Sequence, residues 1–142
     1  MGESDHIPAG FLDQYKLAVD MADRVSARRA TANSFFVTVQ SALVTAFAFS
    51  NGKQWPLAVA GIIVAAAWWL SLRSYRMLNA AKFAVINEME ERLPASPYKD
   101  EWAILKREDG PLHKRYAALS FVEQTVPVAF AALNAALIVV AL

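Results

Sequence analysis

Four hydroxyl side chains, Ser34, Thr38, Ser41 and Thr45, recur in an otherwise apolar stretch at i, i+4, i+7 and i+11, which places them on one face of a helix. A row of this kind serves one of two purposes. It lines a water-filled path between helices, or it lets helices pack closely through small residues, and spacing alone leaves both open. Gln40 sits near the edge of the same face. A second candidate is Glu123, the one acid in the apolar C-terminal stretch, because a carboxylate inside a membrane is a functional candidate by default. It lies about one turn inside the charged edge, so the expected role is an ion pair with Arg73 or Arg115 ahead of a proton relay.

Other reactive types are sparse. The two histidines, His6 and His113, stand far apart with no carboxylate at ligand spacing, too few donors for a metal ion. Glu88, Glu90 and Glu91 cluster beside Arg92 at a helix end and read as a solvated face. No cysteine is present, which excludes disulfides and thiolate metal sites. Nor is there a Gly-rich phosphate loop, a nucleophile elbow or a catalytic-triad signature. The expectation is a protein that is not an enzyme and carries no cofactor or metal. A net charge of +1, with basic residues on no single periodic face, also argues against a nucleic-acid partner.

The elements that position these residues are membrane helices. The chain is 56% hydrophobic and 19% charged, with mean hydropathy +0.28, and a soluble domain of this size carries more charge. No Asp or Glu occurs between Asp23 and Glu88. Residues 32–50 form a first span without charge, Asn51-Gly52-Lys53-Gln54 a tight turn, and residues 55–72 a second span opened by Trp55 and Pro56. Trp55 at one end and Trp68-Trp69 at the other read as interfacial belts. Residues 121–142 form the third span, with Pro127 expected to bend it.

Of the 14 Lys and Arg residues, only Lys53 falls in the turn between spans one and two. The positive-inside rule therefore puts the N-terminus and the Arg73–Leu119 region in the cytoplasm, and the short turn and C-terminus outside. Phe11, Tyr15, Val19, Ala22 and Val25/Ser26 recur at helical spacing before span one, with no Pro or Gly to interrupt, so one helix is expected from about residue 11 to 50. Span two likewise continues to Leu93, with Leu78, Ala81/Lys82, Val85 and Met89 as its apolar stripe and Pro94 as its stop. Pro94 to Tyr98 reads as a rigid turn, Asp100–Arg107 as a short helix with Trp102 and Leu105 inward, and Glu108-Asp109-Gly110-Pro111 as its end. So few amphipathic helices make a small core, and such units are completed by neighbouring subunits.

The run from Arg73 to Asn87, followed by Glu90, Leu93-Pro94, Pro97-Tyr98 and Glu101-Trp102, resembles the RipA family of small bacterial membrane proteins. So do Asp23-Arg24-Val25-Ser26, Arg28-Arg29 and Ala32 to Phe36 near the N-terminus, and Val122-Glu123 with Val126-Pro127 in span three. The resemblance implies an octameric protein of the cytoplasmic membrane, with roles in stress adaptation, no established biochemical activity and no catalytic residues to carry over. Within the motif, Arg73 and Arg76 flank the lipid headgroups. Lys82 is placed to pair with Asp20 or Asp23, joining the two cytoplasmic helices at about 0–1 kcal/mol per exposed pair.

The expected fold is an all-α membrane protein with three transmembrane helices, the first two extending into a helical cytoplasmic part. Residues 1–31 form a cytoplasmic amphipathic helix, 32–72 a transmembrane hairpin, 73–120 a cytoplasmic helical region and 121–142 the third span. The expected function is a homo-oligomer, an octamer by the resemblance, in the bacterial inner membrane. It either forms a pore or serves as a membrane scaffold or stress-response regulator whose cytoplasmic helices bind a protein partner. Lipid is the other expected partner.

Overall fold

The computed structural model describes Pro8 and residues 10–51, 53–105 and 111–142, with backbone alone for Trp102 and residues 111–120. Four α-helices follow one another, and no strand occurs among the described residues. Helix α1 runs Phe11–Phe49, α2 Trp55–Glu90, α3 Pro97–Leu105 and α4 Pro111–Ala141. At 1.5 Å per residue, α1 and α2 are each roughly 55 Å long, against about 30 Å for a hydrocarbon core. About half of each must therefore lie outside the membrane. Helices α1, α2 and residues 121–141 of α4 are long and apolar enough to cross it.

The turn between α1 and α2 forms where the sequence reading puts it. Ser50 donates its N–H to the carbonyls of Ala46 and Phe47, and Asn51 takes a left-handed φ of 55° just beyond; Asn is among the few side-chain-bearing residues that adopt this conformation readily. Pro56 occupies the first turn of α2, where a missing N–H costs nothing.

Helix α2 is the centre of the molecule, packed against α1 on one side and α4 on the other. The close approach is made by small residues: Ala58, Gly61 and Ala65 on α2 are buried, and their spacing puts them on one face. Beyond them lies an aromatic layer. Phe36 of α1 stacks on Trp68 at 5.7 Å, and Trp68 meets Phe130 of α4 at 6.1 Å. Trp68, read from sequence as part of an interfacial belt, is thus a core residue at 2% exposure. Trp55 and Trp69, by contrast, remain exposed.

In the charged half, the stripe on α1 falls inward largely as its spacing predicts, with Phe11, Ala22 and Val25 buried and Tyr15 and Val19 half-buried. The stripe on α2 does not. Leu78 and Val85 are exposed, and the inward face carries Leu72, Ile86 and Glu90. Helix α3 begins at Pro97 rather than at Asp100, because proline is preorganised for the first helical position. Helix α4 starts at Pro111, ten residues ahead of the third span, and contains Pro127 without interruption. The inward setting of Trp102 and the Glu108-Asp109-Gly110 stop lie outside the described residues.

Candidate functional site

Three polar stations tie the helices together at three depths. The deepest lies within the apolar layer. Gln40 of α1 donates its Nε2 hydrogen to the carbonyl of Gly61 at 2.8 Å, and Asn134 of α4 donates Nδ2 to Gln40 Oε1 at 3.1 Å and to its own Phe130 carbonyl at 2.8 Å. Gln40 and Asn134 are 0% and 1% exposed. A Cβ on Gly61 would occupy the space of the Asn134 carboxamide, so glycine is required there for the helices to come this close. Amides in hydrocarbon must find partners, since no water is at hand. These find them on different helices, so the contact fixes the register of all three at once.

The second station centres on Glu123. Asn33 Nδ2 donates to Glu123 Oε1 at 2.9 Å, and Asn33 Oδ1 accepts from Trp68 Nε1 at 2.9 Å. Arg29 Nε stands 3.4 Å from Oε1, and Arg76 Nη2 4.0 Å from Oε2. The carboxylate is therefore paired, but with Arg29 and Arg76. Arg73 faces elsewhere, with its guanidinium 5.9 Å from the centroid of the Trp69 ring, and the side chain of Arg115 lies outside the described residues. The reason is angular: Arg73 and Arg76 are three residues apart, about 60° short of a full turn, and Arg76 is on the side that meets α4 and α1.

The third station is in the extramembrane half. Glu90, read from sequence as solvated, is 0% exposed. Its carboxylate accepts the Tyr15 hydroxyl at 2.8 Å, the Tyr98 N–H at 3.0 Å and the Lys99 N–H at 3.0 Å. The last two are first-turn donors of α3, left without partners in their own helix, and the negative charge sits at the positive end of the α3 dipole. Glu90 thus caps α3 from α2, and Tyr15 brings in α1. Burial, reinforced by this hydrogen bond, pushes the Tyr15 phenol up to about 12. Tyr98 is also raised, first by burial and then by the charges of Asp23, Glu101 and Glu90. Glu88 and Glu91 are exposed as expected, with Glu91 pairing to Lys99 Nζ at 3.3 Å.

Ser34, Thr38, Ser41 and Thr45 all lie on the outer surface of the single chain. Ser34 and Thr38 donate to carbonyls one turn back, those of Ala30 and Ser34, which satisfies them without a partner helix. The pair proposed for Lys82 does not form: Asp20 binds Arg24 one turn along α1 at 2.9 Å, a shorter reach than to another helix, and among the described residues Lys82 has no ion pair with Asp20 or Asp23. His6 and the His113 side chain lie outside the described residues.

The sequence reading overlooked Asn134, and treated Gln40 and Glu90 as edge and surface residues. A lone amide in an apolar helix was the available signal for Asn134. What the arrangement does chemically is hold helices, since each polar group is spent on another part of the chain. No curated protein and no solved structure matches the chain. Three helices fit to span a membrane, locked at three depths, agree with the comparison that does match: residues 12–142 fit the Octameric membrane protein family (8xMP), and the chain belongs to that family.

Proposed function

We propose that the chain is one subunit of a homo-octamer of the bacterial inner membrane whose working surface is a cytoplasmic ring of helices, a scaffold to which a protein partner binds. Kinship with the RipA proteins, a cytoplasmic N-terminus and a part in stress adaptation belong to this proposal. No catalytic step is assigned to it. The carrying observation is the Glu90 station. A 9-residue helix is marginal alone, and a buried carboxylate that caps it from α2 while holding α1 makes the extramembrane half one body. That body exposes Leu17, Met21, Met77, Val85 and Ile104 to water, apolar surface of the sort that neighbouring subunits or a partner cover.

A pore is the second reading, favoured by the outward position of the Ser34, Thr38, Ser41 and Thr45 face, where a ring of copies could bring hydroxyls around an axis. Two measurements test them, the first for the octamer common to both and the second to separate them. Native mass spectrometry in mild detergent should give eight copies, and a stable monomer across dilution would end both readings. Ser41→Leu should leave liposome ion flux at background and the oligomer intact if the protein is a scaffold. Flux in the parent that Ser41→Leu abolishes would put the pore first.

A further inference from the structure

Arg73 stands apart from the other arginines at its level. Arg29 and Arg76 share the carboxylate of Glu123, so that junction already carries two positive charges against one negative. Among the described residues Arg73 makes no ion pair; its guanidinium is held over the exposed Trp69 ring at 5.9 Å. Trp69, Leu72, Arg73 and Gln124 line one notch between α2 and α4, with a volume of about 210 Å³. Leu72 is buried and forms its floor, while Arg73 and Gln124 are exposed at its rim.

The depth of the notch is fixed by its neighbours. Arg73 directly follows the charge-free run of α2 and lies about 4.5 Å nearer the apolar layer than Arg76, which sets it at the boundary of hydrocarbon and headgroups. One turn deeper on α4, Val128 continues the face of Gln124 and is 56% exposed, an apolar track leading out of the notch. We propose that this notch binds the headgroup phosphate of an anionic phospholipid. The Arg73 fork takes the phosphate oxygens, the Gln124 carboxamide donates a further hydrogen bond, Trp69 fixes the guanidinium plane, and an acyl chain lies along Val128. A free anion would gain nothing from the apolar track, and a protein segment would be too wide for the volume.

The test uses the intact oligomer in neutral detergent, titrated with phosphatidylglycerol or with phosphatidylcholine of matched chains, and bound lipid per subunit read by native mass spectrometry. The parent should retain phosphatidylglycerol preferentially. Arg73→Gln should weaken that retention about fivefold, the worth of one basic residue near an anionic surface, and leave phosphatidylcholine unchanged. Gln124→Glu, an exposed change that keeps the helix, should weaken it likewise by placing a carboxylate against the phosphate. Equal phosphatidylglycerol retention by the parent and both variants overturns the proposal. So does displacement of the lipid by inorganic phosphate at equal concentration, which would make this a free-anion site, or loss of subunits in both variants with lipid retention per remaining subunit unchanged, which would make the notch a subunit contact.

Discussion

Gly61, Gln40 and Asn134 form a closed set in which each depends on the other two. Gly61→Ala drives a methyl into the Asn134 carboxamide, and overpacking of this kind costs about 1–3 kcal/mol. Asn134→Ala alone removes an interhelical bond worth about 1 kcal/mol in a membrane. Because that truncation clears the space the new methyl needs, the double variant should be no less stable than Gly61→Ala alone, as read from detergent-denaturant unfolding; strict additivity would mean the two do not share the space. Sequence showed that Gln40 was polar at mid-span but not that its face was the inward one. Over residues 32–50 the apolar residues of α1 surround the helix almost evenly, so periodicity gave no direction there, and the hydroxyl face looked the more purposeful. In membranes polarity is a poor guide to which side is buried: Ser34 and Thr38 satisfy their hydroxyl donors one turn back and can face outward, whereas a carboxamide that bonds its own helix, as Asn134 does at Phe130, still has another N–H and a carbonyl oxygen to place.

At the scale of elements, α3 is held by hydrogen bonds that its first-turn amides donate to a residue on another helix. Glu90→Ala removes the acceptor for two α3 amides and for Tyr15, each bond to a charged group being worth about 1.5–3 kcal/mol. Amides 98–105 should then exchange at least tenfold faster with solvent, while those of residues 55–72 keep their protection. Unchanged exchange in α3 would show that other contacts secure it. The Tyr15 bond carries a pH dependence of known sign. Its protonated phenol is the form that fits, so the contribution is complete below the ordinary value of 10.0 and is lost as pH rises toward about 12. Protease sensitivity of α3 should climb over that window in the parent and climb less in Tyr15→Phe, where Tyr98 alone of the two phenols still titrates. The helices themselves were legible, to within a residue for α1, because breakers and charges bound them. Glu90 was not, since its burial follows from the chain folding back at Pro97, a tertiary event without a periodic trace.

The molecule as a whole is a bundle of three helices fit to span a membrane, with one charged and one apolar end, and the orientation proposed above puts the arginine-bearing end in the cytoplasm. Single cysteines at Ser4 and Leu142 should label from opposite faces of intact vesicles, because three crossings separate them. Labelling from the same face would remove one span. Leu17, Met21, Met77 and Val85, exposed in one chain, should become protected from oxidation or exchange in the octamer, and Met21→Glu together with Met77→Glu should lower the subunit number seen by native mass spectrometry. An unaltered octamer would place the subunit contacts within the membrane instead.

The bonds of Gln40 also set an order of events during synthesis. Its donor reaches Gly61 across a sequence separation of 21 residues, whereas its acceptor waits for Asn134, 94 residues further along. The first hairpin can therefore leave the insertion machinery with its deepest donor already satisfied, well before the ribosome has made the helix that completes the set. The amide oxygen of Gln40 waits for its Asn134 donor until then. That opening gives the hairpin a specific place to receive α4.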